Sequence, residues 1–215
     1  MQAVTINIDN IKPRLSASLI MQIVIPRPIA LISTVTSDGV SNLAPFSYFQ
    51  VVSANPLAVG FSATRDRNGE MKQSLANSVD NREFVAAMVT EQMGASMNVT
   101  SAEFHPGVSE FEKAGFTEGA GEVVKPKLVL ESPVNLECRV SNIIELSTEP
   151  LGGSFVIGKV LRIHFKEGVY DEESGKIRAD YYNLISRMGG TAYGTVRDHF
   201  DMARPRLNAD GEIVK

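Results

Sequence analysis

A single cysteine, Cys138, stands in 215 residues, so no intrachain disulfide can staple the fold. Its surroundings, Asn135-Leu136-Glu137-Cys138-Arg139-Val140, alternate as a strand does, and no basic group can be assigned an activating role beside it. It therefore reads as a buried, inert thiol. Histidine is nearly as scarce: His105, His164 and His199 are far apart and lack ligand spacing, so no zinc or iron centre is expected. Basic charge is not in excess. With 21 Lys and Arg against 25 Asp and Glu, the net charge is −4, without the strongly basic face that a nucleic-acid partner requires. Long apolar runs are missing too, because the longest are interrupted within about ten residues, against roughly 20 for a membrane helix. Asp9 and Asn10 stand where a signal peptide would be apolar, so a cytoplasmic protein with no membrane partner is expected.

What remains is a chain with 43% hydrophobic and 21% charged residues, enough for one well-buried core in a single soluble domain. That domain is expected to span residues 1–215, with an N-terminal lead (1–20) and a polar C-terminal tail (195–215). From Ile29 to Ser62, short β-rich stretches follow one another: Ile29 to Val35, Val40 to Ala44, Tyr48 to Ser53 and Leu57 to Ser62. Ser37-Asp38-Gly39, Pro45 and Asn55-Pro56 separate them. Gaps this short exclude parallel pairing, which needs a crossover of about a dozen residues, so these strands are antiparallel. Glu70 to Val79 reads as a short amphipathic helix with Met71, Leu75 and Val79 on one face, and Glu83 to Val89 as the next strand.

Residues 90–125 depart from the sheet. Met93 and Met97 mark a helix, Glu103-Phe104-His105-Pro106-Gly107 breaks it, and Ser109 to Gly115 reads as a capped helix ended by glycine. Leu128 to Glu131, Val134 to Leu146 and Phe155 to Val169 supply further, longer strands, and beyond Gly194 the chain turns polar with no core of its own. Many short antiparallel strands with two helical insertions fit a mainly β fold, a small antiparallel Greek-key barrel, better than a doubly wound α/β sheet.

Two glycine motifs fail on inspection. Gly153-Ser154-Phe155-Val156-Ile157-Gly158-Lys159 has P-loop spacing, but Val160 stands where a Ser or Thr must hold magnesium, and the run lies inside a strand pattern. Gly119-Ala120-Gly121 lacks the third glycine of a dinucleotide loop, since Val124 stands there. Asn42-Leu43-Ala44-Pro45-Phe46-Ser47 is more informative. Proline gives no N–H to a ladder, so Pro45 is expected to break the strand and leave amides free beside Asn42 and Ser47, a rim suited to a planar, hydrogen-bonding ligand. Downstream, Ser62 to Ser74 runs from a strand end into a helix start, with Arg65, Arg67 and Lys72 within the span. Unpaired N–H groups and the positive dipole end of a helix, with added cations, suit a phosphate.

These segments carry a family likeness. Pro26-Arg27-Pro28, Asn42 to Ser47, Lys72 to Asn77, Glu110-Phe111 ahead of Gly115, and Arg187 to Gly190 with Tyr193, taken in this order, resemble the flavin reductase-like family of FMN-binding split-barrel proteins, in particular its flavoredoxin-like branch. The likeness spans roughly residues 20–200, and the joint order of the elements makes it specific. It implies an antiparallel split barrel, a homodimer, and FMN held near the dimer interface. By position, Asn42, Leu43, Ala44, Pro45, Phe46 and Ser47 would line the flavin ring, with Ser33 and Thr34 beside it. Ser62, Arg65, Lys72 and Ser74 would take the ribityl and phosphate end. Gln73-Ser74 departs from the Asp-Thr that related chains often carry after the lysine; the serine keeps the hydroxyl. His105 lies in the excursion where relatives often carry a polar residue, and it reads as a capping or surface histidine outside the catalytic set. The implied activity is an FMN-dependent oxidoreductase, passing electrons from a reduced nicotinamide or a redox-protein partner through FMN to an acceptor. The alternatives are a non-catalytic FMN-binding electron carrier and a dimeric binding module that has lost flavin. The redox chemistry would belong to the cofactor, so no single side chain need be catalytic.

Overall fold

Strand-forming residues alternating with period two lay down the main sheet, and the order in which its strands pair sets the shape of the molecule. The computed structural model describes residues 3–105, 107–178, 183–198 and 200–214; Pro106 and His199 lie outside the described residues. Helix α1 (Pro13–Ile23) and β1 (Arg27–Pro28) lead into β2 (Ala30–Val35), β3 (Ser41–Phe46), β4 (Phe49–Ala54) and β5 (Leu57–Thr64). Helix α2 (Gln73–Asn81) and β6 (Glu83–Met88) come next, then an excursion with α3 (Gly94–Val99), α4 (Glu110–Ala114), β7 (Glu118–Gly119) and β8 (Leu128–Val129). The long β9 (Val134–Glu145) and β10 (Gly153–Phe165) complete the main sheet. Short β11 (Tyr170–Asp171), β12 (Lys176–Ile177), β13 (Ile185–Gly189), β14 (Ala192–Thr195), β15 (Arg206–Leu207) and β16 (Ile213–Val214) follow.

The main sheet has seven strands in the order β3-β2-β6-β9-β10-β5-β4, and its paired neighbours are antiparallel. Only Ser47 and Tyr48 join β3 to β4, yet these strands stand at opposite ends of the order, so the sheet must curl until its edges meet. They meet without a ladder. Phe46 of β3 packs on Phe61 of β5 with ring centroids 4.8 Å apart, and the Ser62 N–H, donating to the Tyr48 carbonyl at 2.8 Å, carries the β4–β5 pairing up to the β3–β4 link. The result is an antiparallel barrel split along one seam.

Every residue of β2 is buried, because both faces of this strand are covered. Ala30 and Ile32 point into the barrel with Val59, Phe61, Ala63, Phe84, Ala86 and Val156. Phe61 and Phe84 meet edge to face at 5.2 Å, and each such fully buried ring stabilises the fold by roughly 1.5–3 kcal/mol. Cys138 lies in the same cluster, where burial, with the neighbouring Glu137 charge, pushes its thiol well above the ordinary cysteine range. Leu31 faces outward with Leu43 of β3 into a second cluster, where Met93, Met97, Phe111 and Phe116 come from α3, α4 and the residues beside them. Gly115, at φ 72°, ends α4 in the left-handed conformation that glycine adopts most readily.

Three expectations change here. Pro45 does not break its strand: β3 runs through it, paired opposite Leu31, because β3 is an edge strand where the missing N–H faces away from β2. Helix α2 does not bury Met71 or Val79, which are exposed; it buries Ser74, Leu75, Asn77 and Ser78. The N-terminal lead contains α1, an 11-residue helix with no buried residue.

On the outer face, β9 carries a fully buried carboxylate, Glu137. Its Oε2 accepts the N–H groups of Val123 and Val124 at 2.8 and 2.9 Å, and its Oε1 accepts the Glu122 N–H at 3.0 Å and lies 2.5 Å from His164 Nε2. A side chain at Gly121 would strike this turn, its Cβ falling 2.7 Å from the Val124 carbonyl. Burial opposes the charge, but the three amides and His164 outweigh it and hold the Glu137 carboxyl below the usual glutamate range. With the folded pKa depressed, this carboxylate contributes stability above the unfolded value of about 4.3, and the contribution is lost as pH falls through the folded value. Glu137→Gln is expected to lower stability at neutral pH and to flatten the acid limb of urea melts; an acid limb identical to that of the parent would refute the assignment. Gly158→Ala is expected to cost about 1–3 kcal/mol by urea unfolding, since its Cβ would fall 2.4 Å from Phe84 Cε1 in the barrel interior.

Candidate functional site

Strand alternation divides the candidate residues between two faces. Thr34, Asn42, Ala44 and Phe46 share the face of Ile32 inside the barrel, with Thr34 paired to Asn42 and Ile32 to Ala44. Ser33, Leu43 and Pro45 share the face of Leu31 outside it. Ser33 is fully buried and its hydroxyl has no partner among the described residues. Ala44, Pro45, Phe46 and Ser47 are half-buried at the seam.

The seam explains both Pro45 and a residue that the sequence did not single out for the site. The Leu43 N–H points away from β2 and donates to Glu110 Oε2 at 3.0 Å, from the start of α4. Amides two apart on a strand point the same way, so the next outward position is Pro45, which has no N–H to leave unpaired. A carboxylate and a proline thus satisfy the exposed edge. Ser47 is held from the other side by Arg27, whose guanidinium bonds the carbonyls of Met21 and Val24 at 2.5 and 2.8 Å and reaches Ser47 Oγ at 3.5 Å.

At the barrel end, β2, β3 and α2 meet in one polar network. Asn42 Nδ2 donates to Thr34 Oγ1 at 3.2 Å and to Ser74 Oγ at 3.0 Å. Asn77 Nδ2 donates to the same Thr34 oxygen at 3.0 Å, and Gln73 Nε2 donates to Asn77 Oδ1 at 2.7 Å. Thr34, Asn42, Ser74 and Asn77 are all buried. The network seats the first turn of α2 on the β2–β3 hairpin. Lys72 caps that helix through its backbone alone, and the amides of Gln73 and Ser74 have no acceptor among the described residues. These unsatisfied donors, the Ser74 hydroxyl and the Lys72 ammonium are a donor set that fits a phosphate.

Arg65 lies nearby but is committed elsewhere. Its Nη2 meets Glu145 Oε2 at 2.8 Å, its Nη1 donates to the Gly69 carbonyl at 2.9 Å, and its Nε is buried without a partner among the described residues. The loop it grips is shaped by Asp66, whose carboxylate accepts the Glu70 and Asn68 N–H groups at 2.8 Å each and is held below the usual aspartate range by those bonds. Ser62 is half-buried on β5 beside the seam, and Lys72 is half-exposed, 3.7 Å from Glu103. His105 is exposed. Asn77 and Glu110 are the positioning residues that sequence reasoning missed as site members. Asn77 is recoverable as the third residue after Ser74 on one helix face, whereas Glu110 is 67 residues from its partner and leaves no local signal.

The flavin reductase like domain matches residues 21–184. The chain belongs to that family. The flavin reductase-like chain is similar in structure to nitrilotriacetate monooxygenase component B from Bacillus cereus, with 32% identity, a TM-score of 0.88, and 94% of this chain and 100% of that one covered. It is also similar to the 2-nitrobenzoate 2-nitroreductase NbaA of Pseudomonas fluorescens, with 27% identity, a TM-score of 0.84, and 94% and 96% covered. A split-barrel-domain protein from Shewanella frigidimarina, at 20% identity and TM-score 0.78 over 91% and 95% of the two chains, shares the fold. The fold is thus the split barrel of this family, and the family carries a flavin-related redox role. No helix among the described residues is long and apolar enough to cross a membrane.

The Asn42–Ser74 contact is expected to be cooperative with the rest of the network. Asn42→Ala and Ser74→Ala, compared with the double variant in urea unfolding, should give a coupling of about 0.5–3 kcal/mol; strict additivity would show that the two side chains do not act together.

Proposed function

We propose that the chain binds FMN and is an oxidoreductase that receives electrons from a reduced nicotinamide or a redox-protein donor and passes them to an acceptor. The observation that carries this reading is the start of α2, where two amides without acceptors, a buried hydroxyl and a lysine converge at a helix N-terminus. Family membership supplies the flavin, and this donor set favours a phosphorylated one. Bound FMN would supply the redox chemistry itself. Lys72, Ser74 and the Gln73 amide hold the phosphate in this reading, while Asn42, Thr34 and Asn77 fix the helix that presents them. Arg65 acts from behind, tying the 66–70 loop to Glu145 so that the helix start stays in place. Ser62 and Ser47 flank the ribityl path, and Ala44, Pro45 and Phe46 form the half-buried rim for the ring, with Ser33 and Leu43 behind it.

A homodimer completes this rim. Tyr48, Val51 and Val52, which directly follow it, are exposed apolar positions, at 38%, 71% and 40%. A second copy covering them would close the ring site, and the whole chain 1–215 would act as one flavin-binding unit.

Lys72→Ala is expected to weaken FMN by about 1.5–3 kcal/mol while leaving riboflavin nearly unchanged, read by quenching of flavin fluorescence. Equal losses for both ligands would remove Lys72 from the phosphate site, and a folded protein that binds no FMN at micromolar concentration would overturn the proposal. Anaerobic mixing of the FMN-loaded protein with NADH and NADPH separates enzyme from carrier: bleaching followed by turnover supports the oxidoreductase, and bleaching by neither nicotinamide leaves a protein donor.

A further inference from the structure

Away from the barrel seam, α3 and the β13–β14 hairpin flank a pocket of about 250 Å³ that opens to solvent on one side. Gly94 and Met97 of α3, Ile185 of β13 and the Tyr193–Thr195 stretch of β14 line it, and its one charged lining group is Glu91. The lining is mainly apolar, with few polar groups, which is the usual character of a small-molecule site. Benzene fits a cavity of about 150 Å³, so this pocket has room for a single substituted six-membered ring.

The walls are fixed. The Arg187 guanidinium lies 4.4 Å over the Tyr193 ring and also donates to the Gly190 carbonyl, holding that wall against the hairpin. Met97 and Ile185 are buried members of the outer core cluster. Glu91 is held as well: its Oε2 accepts from both Arg197 and Asn183 Nδ2, while Oε1 has no partner among the described residues. With its charge offset by Arg197, an acceptor oxygen left open selects a hydrogen-bond donor, which a carboxylate anion does not offer, and an apolar lining disfavours that anion further.

We propose that this cavity binds a small, uncharged monocyclic aromatic carrying a hydroxyl or amino group, its ring against Met97 and Ile185 and its donor on Glu91 Oε1. The site needs no flavin and is independent of the FMN reading. Met97 shares its core cluster with Leu43 of the edge strand.

Phenol, toluene and benzoate, titrated against the full chain by ligand-observed NMR, test the proposal. Phenol is expected to bind about fivefold to tenfold more tightly than toluene, in keeping with one charge-assisted hydrogen bond partly open to water, and benzoate more weakly than either. Gly94→Leu fills the cavity: Gly94 has helical φ and ψ of −57° and −43°, and its Cβ would lie 3.6 Å from Ile185 Cδ1, an ordinary contact. The variant should keep the parent melting temperature and lose phenol binding at least about tenfold. Glu91→Gln should weaken phenol and leave toluene unchanged, and this comparison decides the matter if Gly94→Leu does not fold. Absence of phenol binding, binding that survives Gly94→Leu, benzoate binding as tight as phenol, or equal losses of phenol and toluene in Glu91→Gln would each overturn the proposal.

Discussion

Two strands joined by two residues, yet standing at opposite ends of a hydrogen-bonded order, leave a sheet one way to be built: it has to close on itself. From that closure, every position on the β2–β3 hairpin acquires an inside or an outside by parity alone. One hairpin thereby carries two chemistries. Its inward residues Thr34 and Asn42 meet α2 at the barrel end, and its outward Leu43 and Pro45 line the seam. Because the seam has no ladder, its amides must be satisfied by other means, and Glu110 and the imino acid at position 45 do so.

The way α2 is seated follows from the same geometry. A helix laid on a barrel end through leucines alone would be held but free to settle in several rotations about its axis. Ser74 and Asn77 remove that freedom, since their hydrogen bonds to the hairpin have a direction, while the buried Ser78 hydroxyl is met within the helix by the Ser74 carbonyl at 2.7 Å. Buried polar groups destabilise when unmet, and here they are met, so the network specifies one orientation of the helix and aims its first amides in one direction.

The β-rich stretches from 29 to 62, the two helical insertions and the glycine stop of α4 were legible because each is written in local pattern: period two, apolar spacing, or a residue suited to positive φ. Helix α2 was found but turned to the wrong face, since hydrophobic periodicity registers Met71 and Val79 and cannot register a buried stripe of Ser and Asn. Helix α1 carries the spacing of a helix, with Leu15, Leu19 and Ile23 four apart and Pro13 in its first turn as a start signal, yet that stripe is not buried, so it marks no core. Pro45 was rightly flagged as foreign to a central strand; only the sheet order reveals that its strand is an edge. The pairs Asn42–Ser74, Thr34–Asn77 and Leu43–Glu110 lie 32, 43 and 67 residues apart, and nothing in the local sequence couples them.

Arg27 gives the N-terminal helix an unusual status. Helix α1 contributes no buried side chain, and its polar link to the rest of the molecule is one buried guanidinium gripping its last-turn carbonyls, where the negative end of the helix dipole lies. A segment held by a latch of this kind can detach as a unit while the barrel stays intact, because no hydrophobic cluster is opened when it leaves. Residues 13–24 are therefore fastened by a charge-assisted clasp on backbone carbonyls and not by the core.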